Sequence, residues 1–281
     1  MRAIMKNNIM KTFLLGALCL PFLIQAQDVK LDVDVTRRGI EISPTHYGLF
    51  FEDINHAADG GLYAELIRNR SFEDADAPDY WSKIVPSGTT VNLSLETNNL
   101  LNEAQGKALK IVVTGATSAK RAGVSNVGFW GINAVKDRVY KVSFFAKCTS
   151  GYKGKFTVGL TNQNGDLSYG STTLEEETSS EWKKYTCSVT STGNDPQAKF
   201  VWTVDAPGTV YLDVVSLFPP TFKDRENGCR PELAQLLADM KPRFMRFPGG
   251  CFVEGNSQEN GFYWKKTVGP IEEREGHWNQ W

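Results

Sequence analysis

Apolar and polar positions along the 281 residues fall into distinct textures. An apolar run over 13–24 follows Lys11 and ends at Gln25, Ala26 and Gln27; it is too short to cross a bilayer. The run predicts a signal peptide over 1–26, cleaved after Ala26, with Met1 or Met10 as the start; a buried N-terminal helix is the alternative. Residues 27–75 then carry a short alternating run, VKLDVDV, and the apolar run Tyr-Gly-Leu-Phe-Phe over 47–51, closed by Glu52 and Asp53. Both predict strands, the second a buried one ending in polar residues. Leu62, Leu66 and Ile67 recur at helical spacing and predict a helix over 62–70.

The texture changes over 76–218. Short alternating runs (TTVNLSLET, KALKIVVTG, RVYKVSFFAKC, GKFTVGLTN, KKYTCSVTS, AKFVWTVDA, GTVYLDVVSLF) are separated by Asn-Gly, Gly-Asn-Asp and Ala-Pro-Gly turn signals. That rhythm, with almost no helical period, predicts an antiparallel β-sandwich. Over 219–281 the mixed texture returns. Pro231 opens a helix to about residue 240 with Leu233, Leu236 and Leu237 on one face, Pro242 stops it, and 243–247 reads as a strand. The predicted fold class is therefore α/β plus all-β, with a sandwich inserted into an α/β domain after its first strand.

Charge narrows the partners. Lys plus Arg number 31 against 32 Asp plus Glu, so there is no basic excess to hold a nucleic acid, and an uncharged substrate suits the balance. Removal of the signal leaves Cys148, Cys187, Cys229 and Cys251 in a compartment that permits disulfides. Cys148 and Cys187 lie in strand-like runs and could face each other in one sheet.

Candidate chemistry gathers at two strand ends. Glu52 ends the YGLFF run, with Asp53, Asn55 and His56 in the same loop and Gly60-Gly61 allowing a tight turn. It is either a site carboxylate or an acid in a solvated loop. In RFPGGC, Arg246 lies at the end of a strand, Pro248 stops ladder donation, and Gly249-Gly250 permit close approach. An arginine there must pair or stay wet; it either supports a site carboxylate or forms an ordinary buried ion pair. Cys251 reads as a nucleophile, a metal ligand or a small pocket residue. His46, His56 and His277 form no recognisable arrangement around it, and paired zinc-ligand spacing is absent. Over 262–278, FYWKKTVGPIEEREGHW suits either a carbohydrate cleft or a surface loop with a few core aromatics. Trp130, Trp182 and Trp202 are either sugar-stacking residues or core filling.

YGLFFEDINHAADGGLYAELIRNRSFE, FWGINAVKDRVYKVSFFAK, LADMKPRFMRFPGGCFVEG and WKKTVGPIEEREGHW together resemble the α-L-arabinofuranosidases of glycoside hydrolase family 51, in the branch with an early inserted carbohydrate-binding-like sandwich. The resemblance covers essentially everything after the signal peptide. It implies a (β/α)8 TIM barrel interrupted by a jelly-roll-like sandwich, so that 27–75 and 219–281 are barrel and 76–218 the insert. It further implies retaining exo-hydrolysis of terminal arabinofuranosyl residues from arabinan or arabinoxylan, without cofactor or metal. The implied partners are arabinose-containing plant polysaccharides or oligosaccharides, with no nucleic acid and no membrane once the signal is cleaved. Oligomerisation of the full enzyme stays open. By the same resemblance Glu52 hydrogen-bonds sugar hydroxyls, Arg246 supports the nucleophilic carboxylate, and Cys251 contacts the arabinose. The family's acid/base sits in an Asn-Glu pair, and no such pair follows RFPGG here; Glu259-Asn260 has the reverse order. Both reacting glutamates are thus expected beyond Trp281, which reads the chain as an N-terminal fragment with an incomplete barrel, inactive alone. A non-catalytic polysaccharide-binding module is the alternative.

Overall fold

The computed structural model describes residues 30–281; the predicted signal peptide lies outside them. The chain divides into a unit ending at Ser43 and a unit spanning Pro44–Trp281. The strand expected over VKLDVDV is not formed in the described residues 30–35: Leu31, Val33 and Val35 are exposed and no ladder partner meets them. Alternation alone cannot make a strand, because its backbone groups need a neighbour. Local polar contacts order this stretch instead, with Asp34 Oδ1 accepting both the amide and the hydroxyl of Thr36.

The second unit is dominated by two antiparallel sheets. Strands β2 (Trp81–Ile84), β3 (Thr90–Glu96), β4 (Ala108–Thr114), β5 (Ala122–Asn126), β6 (Ile132–Ala134) and β7 (Val139–Cys148) lead into β8 (Phe156–Thr161), β9 (Ser168–Thr173), β10 (Lys183–Thr190), β11 (Asp195–Val204) and β12 (Gly208–Phe218). One sheet runs β10-β7-β12-β4-β3; the other runs β2-β5-β11-β8-β9, with β6 also on β11. The expected sandwich is present, built from alternating inward side chains. Phe144, Phe156, Tyr185 and Trp202 meet at its centre, Phe144 stacked on Tyr185 at 5.4 Å and Phe156 tilted against Trp202 at 5.0 Å. Trp202 is fully buried and fills the core, so it cannot stack on a sugar. Strands β5 and β9 escape the sequence pattern for opposite reasons. β5 (AGVSN) is buried on both faces and has no alternation, while β9 (SYGSTT) is polar throughout.

The helix predicted over 62–70 does not form; only Leu62 is in a helical turn, the kinked Ala58–Leu62. Residues 63–67 lie beside the end of β12 instead, with Leu66 N–H donating to Leu217 O and Ala64 N–H to Gly228 O, and 68–70 bend away, Asn69 taking a φ of 51°. These donors are taken by other segments, and the Glu65 carboxylate replaces what helical bonds would have supplied. Its Oε1 accepts the amides of Leu66, Ile67 and Leu217, and its Oε2 meets Ser216 Oγ at 2.6 Å and Arg70 at 3.3 Å. Helical spacing misleads here because Ala64, Glu65, Leu66 and Ile67 are all buried, which no single helix face can achieve. A shift in the β12–β7 register between Asp213 and Ser216 receives this segment, Val215 N–H bonding Arg70 O.

Helix α1 (Pro231–Asp239) forms as its pattern predicts. It ends where Lys241 takes a φ of 51°, a residue that Pro242 keeps from continuing the helix. The strand expected at 243–247 shortens to β13 (Met245–Arg246). It pairs in parallel with β1 (Leu49–Phe50), the remnant of the YGLFF run, and this two-stranded parallel sheet is the extent of the α/β architecture seen. Cys148 and Cys187 share a sheet but are not opposite. Cys187 faces Val142, six residues from Cys148, about 20 Å along a strand, and all four described cysteines are free thiols.

Candidate functional site

The register Leu49↔Met245 and Phe50↔Arg246 sets β1 and β13 side by side in the same direction. The chain therefore leaves both strands at one end, bringing Glu52 to the Pro-Gly-Gly turn. Its Oε1 accepts two backbone donors from that turn, Gly250 N–H at 3.0 Å and Phe252 N–H at 2.7 Å. Phe252 lies in α2 (Cys251–Glu254), a single short turn. Gly249 makes the clamp possible. Its φ is 137°, and a Cβ there would fall 2.3 Å from Glu52 Cγ, well inside contact distance. Glu52 Oε2 has no partner among the described residues, so one oxygen is oriented by the backbone while the other is open to a hydroxyl donor.

Asp53 has a structural task. Its Oδ1 caps the following turn through Ala58 N–H at 2.9 Å, and its carbonyl accepts Asn279 Nδ2 at 2.8 Å. Asn55 and His56 both take positive φ, and Asn55 N–H donates to Trp281 O. Beyond them Gly60, at φ 84°, presses on the ring of Phe129, where a Cβ would sit 2.6 Å from ring carbons. His56 packs edge-on against both Phe129 and Trp130, with centroids 5.4 and 5.6 Å away. A sandwich loop thus buttresses the Glu52 loop. Sequence pattern alone did not reveal this contact, because it joins residues some seventy positions apart.

Arg246 lies at the strand end as expected but forms no buried ion pair. It is exposed, its guanidinium stands 4.8 Å from the Phe50 ring centroid, and no carboxylate pairs with it among the described residues. An exposed guanidinium on an aromatic face costs little desolvation and can still turn to an acid. Cys251 is exposed at the start of α2. The ring contacts of the three histidines go elsewhere: His46 to Tyr47, His56 to the sandwich loop, His277 to Phe252 and Phe262. Over 262–278, Phe262 and His277 pack on Phe252 behind the Glu52 clamp, while Tyr263, Trp264 and Trp278 are exposed. The segment is anchored to the sandwich where Asn102 and Gln105 donate to Glu272 O. Trp130 is exposed, and Trp182 is half-buried with its Nε1–H on Asn99 O at 2.9 Å.

A two-sheet antiparallel sandwich is thus carried beside a strand-end carboxylate. Residues 64–208 match the family described as Carbohydrate binding domain, and residues 236–281 match the Alpha-L-arabinofuranosidase 1 domain. Alpha-L-arabinofuranosidase 1 of Arabidopsis thaliana is 36% identical over 96% of this chain and 42% of its own length. The Extracellular exo-alpha-L-arabinofuranosidase of Streptomyces chartreusis is 37% identical over 90% of this chain and 31% of its own. An arabinose-bound MgGH51 α-L-arabinofuranosidase superposes with a TM-score of 0.76 at 35% identity, over 84% of this chain and 39% of that one. The chain belongs to the carbohydrate binding domain family through residues 64–208, and over most of its length it is similar to α-L-arabinofuranosidases. It spans about two-fifths of the length of the curated relatives it matches first.

Proposed function

We propose that this chain supplies the sugar-holding side of an α-L-arabinofuranosidase site that removes terminal arabinofuranosyl units from arabinan or arabinoxylan with retention. In this reading 27–75 and 219–281 are parts of a (β/α)8 barrel and 76–218 its insert. The observation that carries it is the Glu52 clamp: a carboxylate at the C-terminal end of a parallel strand, where such barrels place their sites, held by two backbone amides with one oxygen open. Glu52 accepts sugar hydroxyls, Cys251 forms part of the pocket wall, and Arg246 swings from Phe50 to orient the attacking carboxylate. Export is part of the proposal, supported by the word extracellular in the name of the Streptomyces relative. Among the described residues no helix is long and apolar enough to cross a membrane.

Retaining hydrolysis needs two carboxylates about 5 Å apart. Of the acids in this loop, Glu52 is clamped as a hydroxyl acceptor and Asp53 is tied to Ala58, and neither is assigned as a reacting group. The purified 281-residue chain is accordingly expected to bind a methyl α-L-arabinofuranoside without cleaving an aryl one. Amide resonances of Gly250 and Phe252 should shift on titration in the native chain and stay still in Glu52→Ala. Still resonances in the native chain would remove the sugar-holding assignment; turnover above an empty-vector control would overturn the assignment of roles.

A further inference from the structure

The loop from Glu52 to Gly60 is held from two sides. On one side Asn279 Nδ2 donates to Asp53 O and Asn55 N–H to Trp281 O, both close to Glu52. On the other, residues 127–131 of the sandwich meet the far end of the loop, where Phe129 and Trp130 lie edge-on to His56 and Phe129 presses on Gly60. The bond from Ala58 N–H to Asp53 Oδ1 ties the two ends of the loop together. A shift at His56 or Gly60 is therefore passed to the residue beside Glu52.

The sandwich side of this joint is fixed. Asn126, at the end of β5, is wholly buried and joins three backbone groups. Its Oδ1 accepts Gly128 N–H at 2.9 Å and Arg68 N–H at 3.3 Å, and its Nδ2 donates to Arg68 O at 2.9 Å. Buried side-chain bonds of this kind fix one arrangement of the backbone they connect. Gly131 N–H closes the turn on Val127 O, and Gln197 Nε2 donates to Trp130 O. Phe129 itself is half-buried and stands outside the sandwich core. Its ring neighbours are His56, Trp130, Gly60 and the Arg68 guanidinium, so its contacts serve the joint and not the domain that carries it.

Glu52 needs such support. Two amides fix one of its oxygens, but the direction of the other depends on where the loop holds the backbone. A displacement of about 1 Å is enough to spoil a binding geometry. We infer that Phe129 and His56 are positioning residues, through which the sandwich keeps the open oxygen of Glu52 aimed into the pocket. This task needs no sugar on the sandwich itself. Its consequence for arabinofuranoside affinity rests on the reading of Glu52 as the sugar-holding carboxylate.

Amide hydrogen exchange on the 281-residue chain tests the positioning without any sugar. Phe129→Ala and His56→Ala should each quicken exchange at Gly250 and Phe252 about fivefold, the factor one edge-on ring contact is worth, while β7 and β12 keep their protection. Phe129→Tyr should restore the native rates. Because both rings act through one contact, the double alanine variant should be no faster than the quicker single one. Tyr152→Ala removes a contact at the opposite end of the sandwich, where its hydroxyl meets Ala206 O; it should lower Tm and leave the two amides unchanged. His56 is exposed, so its variant remains informative if removal of Phe129 disturbs the fold. In the methyl α-L-arabinofuranoside titration, Phe129→Ala should weaken binding about fivefold and Phe129→Tyr should bind as the native chain does. Positioning is refuted if both alanine variants keep native exchange, if their effects add in full, if Phe129→Tyr restores nothing, or if Tyr152→Ala quickens the same two amides. A native chain that ignores the arabinofuranoside removes the sugar-holding assignment, and the exchange rates still decide the positioning.

Discussion

Gly249 shows how much of the candidate site rests on an atom that is not there. Glu52 can reach the amides of Gly250 and Phe252 only because its own Cγ occupies the space of a Cβ at 249. Gly249→Ala adds steric overlap to a φ of 137°, so it should cost more than about 1 kcal/mol locally and release the clamp. Hydrogen exchange at the Gly250 and Phe252 amides should quicken in this variant while the sandwich amides hold; unchanged protection at both would mean the turn adapts without losing the bonds. The Gly-Gly pair was legible as a place of close approach. What approaches it was not, since Glu52 lies almost two hundred residues earlier and its side-chain direction depends on the parallel pairing of β1 with β13.

Among the elements, β12 is the hinge between textures. At its irregularity Asp213 is wholly buried, with Oδ1 on Val214 N–H at 2.7 Å and Oδ2 without a partner. Burial, with Glu73 adding to it, raises this carboxyl from 3.8 to about 8 against the opposing pull of the Val214 amide and Arg70. Between those two values the folded chain holds a proton that the unfolded chain has lost. Its stabilising contribution is therefore complete below about pH 4 and disappears as pH rises through about 8. Asp213→Asn cannot titrate, so the fall in urea midpoint from pH 5 to pH 8 should be smaller in the variant than in the native chain. Parallel falls would show that Asp213 is ionised in the fold already. GTVYLDVVSLF signals a strand from its apolar run, yet nothing in that run announces a buried acid. The register shift appears only once residues 62–70 are laid against it, and Glu65 joins the two through hydrogen bonds with Ser216 and Leu217.

Across the whole molecule, burial is uneven. The core cluster lies within residues 66–217, whereas Leu236, Met240, Phe244, Met245 and Phe247 around α1 and β13 are exposed. Few buried contacts mean low opening free energies, so amides of β7, β11 and β12 should exchange last and those of α1 and β13 early. Equal protection in both regions would instead indicate a single cooperative unit. The strand runs of the sandwich and the α1 helix were readable in the sequence, because each depends on local spacing and turn chemistry. So was the kinship, carried by the residues around Glu52 and RFPGGC. Tertiary structure alone decided that 63–70 is not helical, that Trp202 is core while Tyr211 faces a cavity, that Arg246 rests on Phe50, and that Glu52 is clamped. The physical reason is the same in each case: these outcomes depend on which distant backbone groups and side chains compete for one polar atom or one apolar face, and local spacing carries no record of that competition.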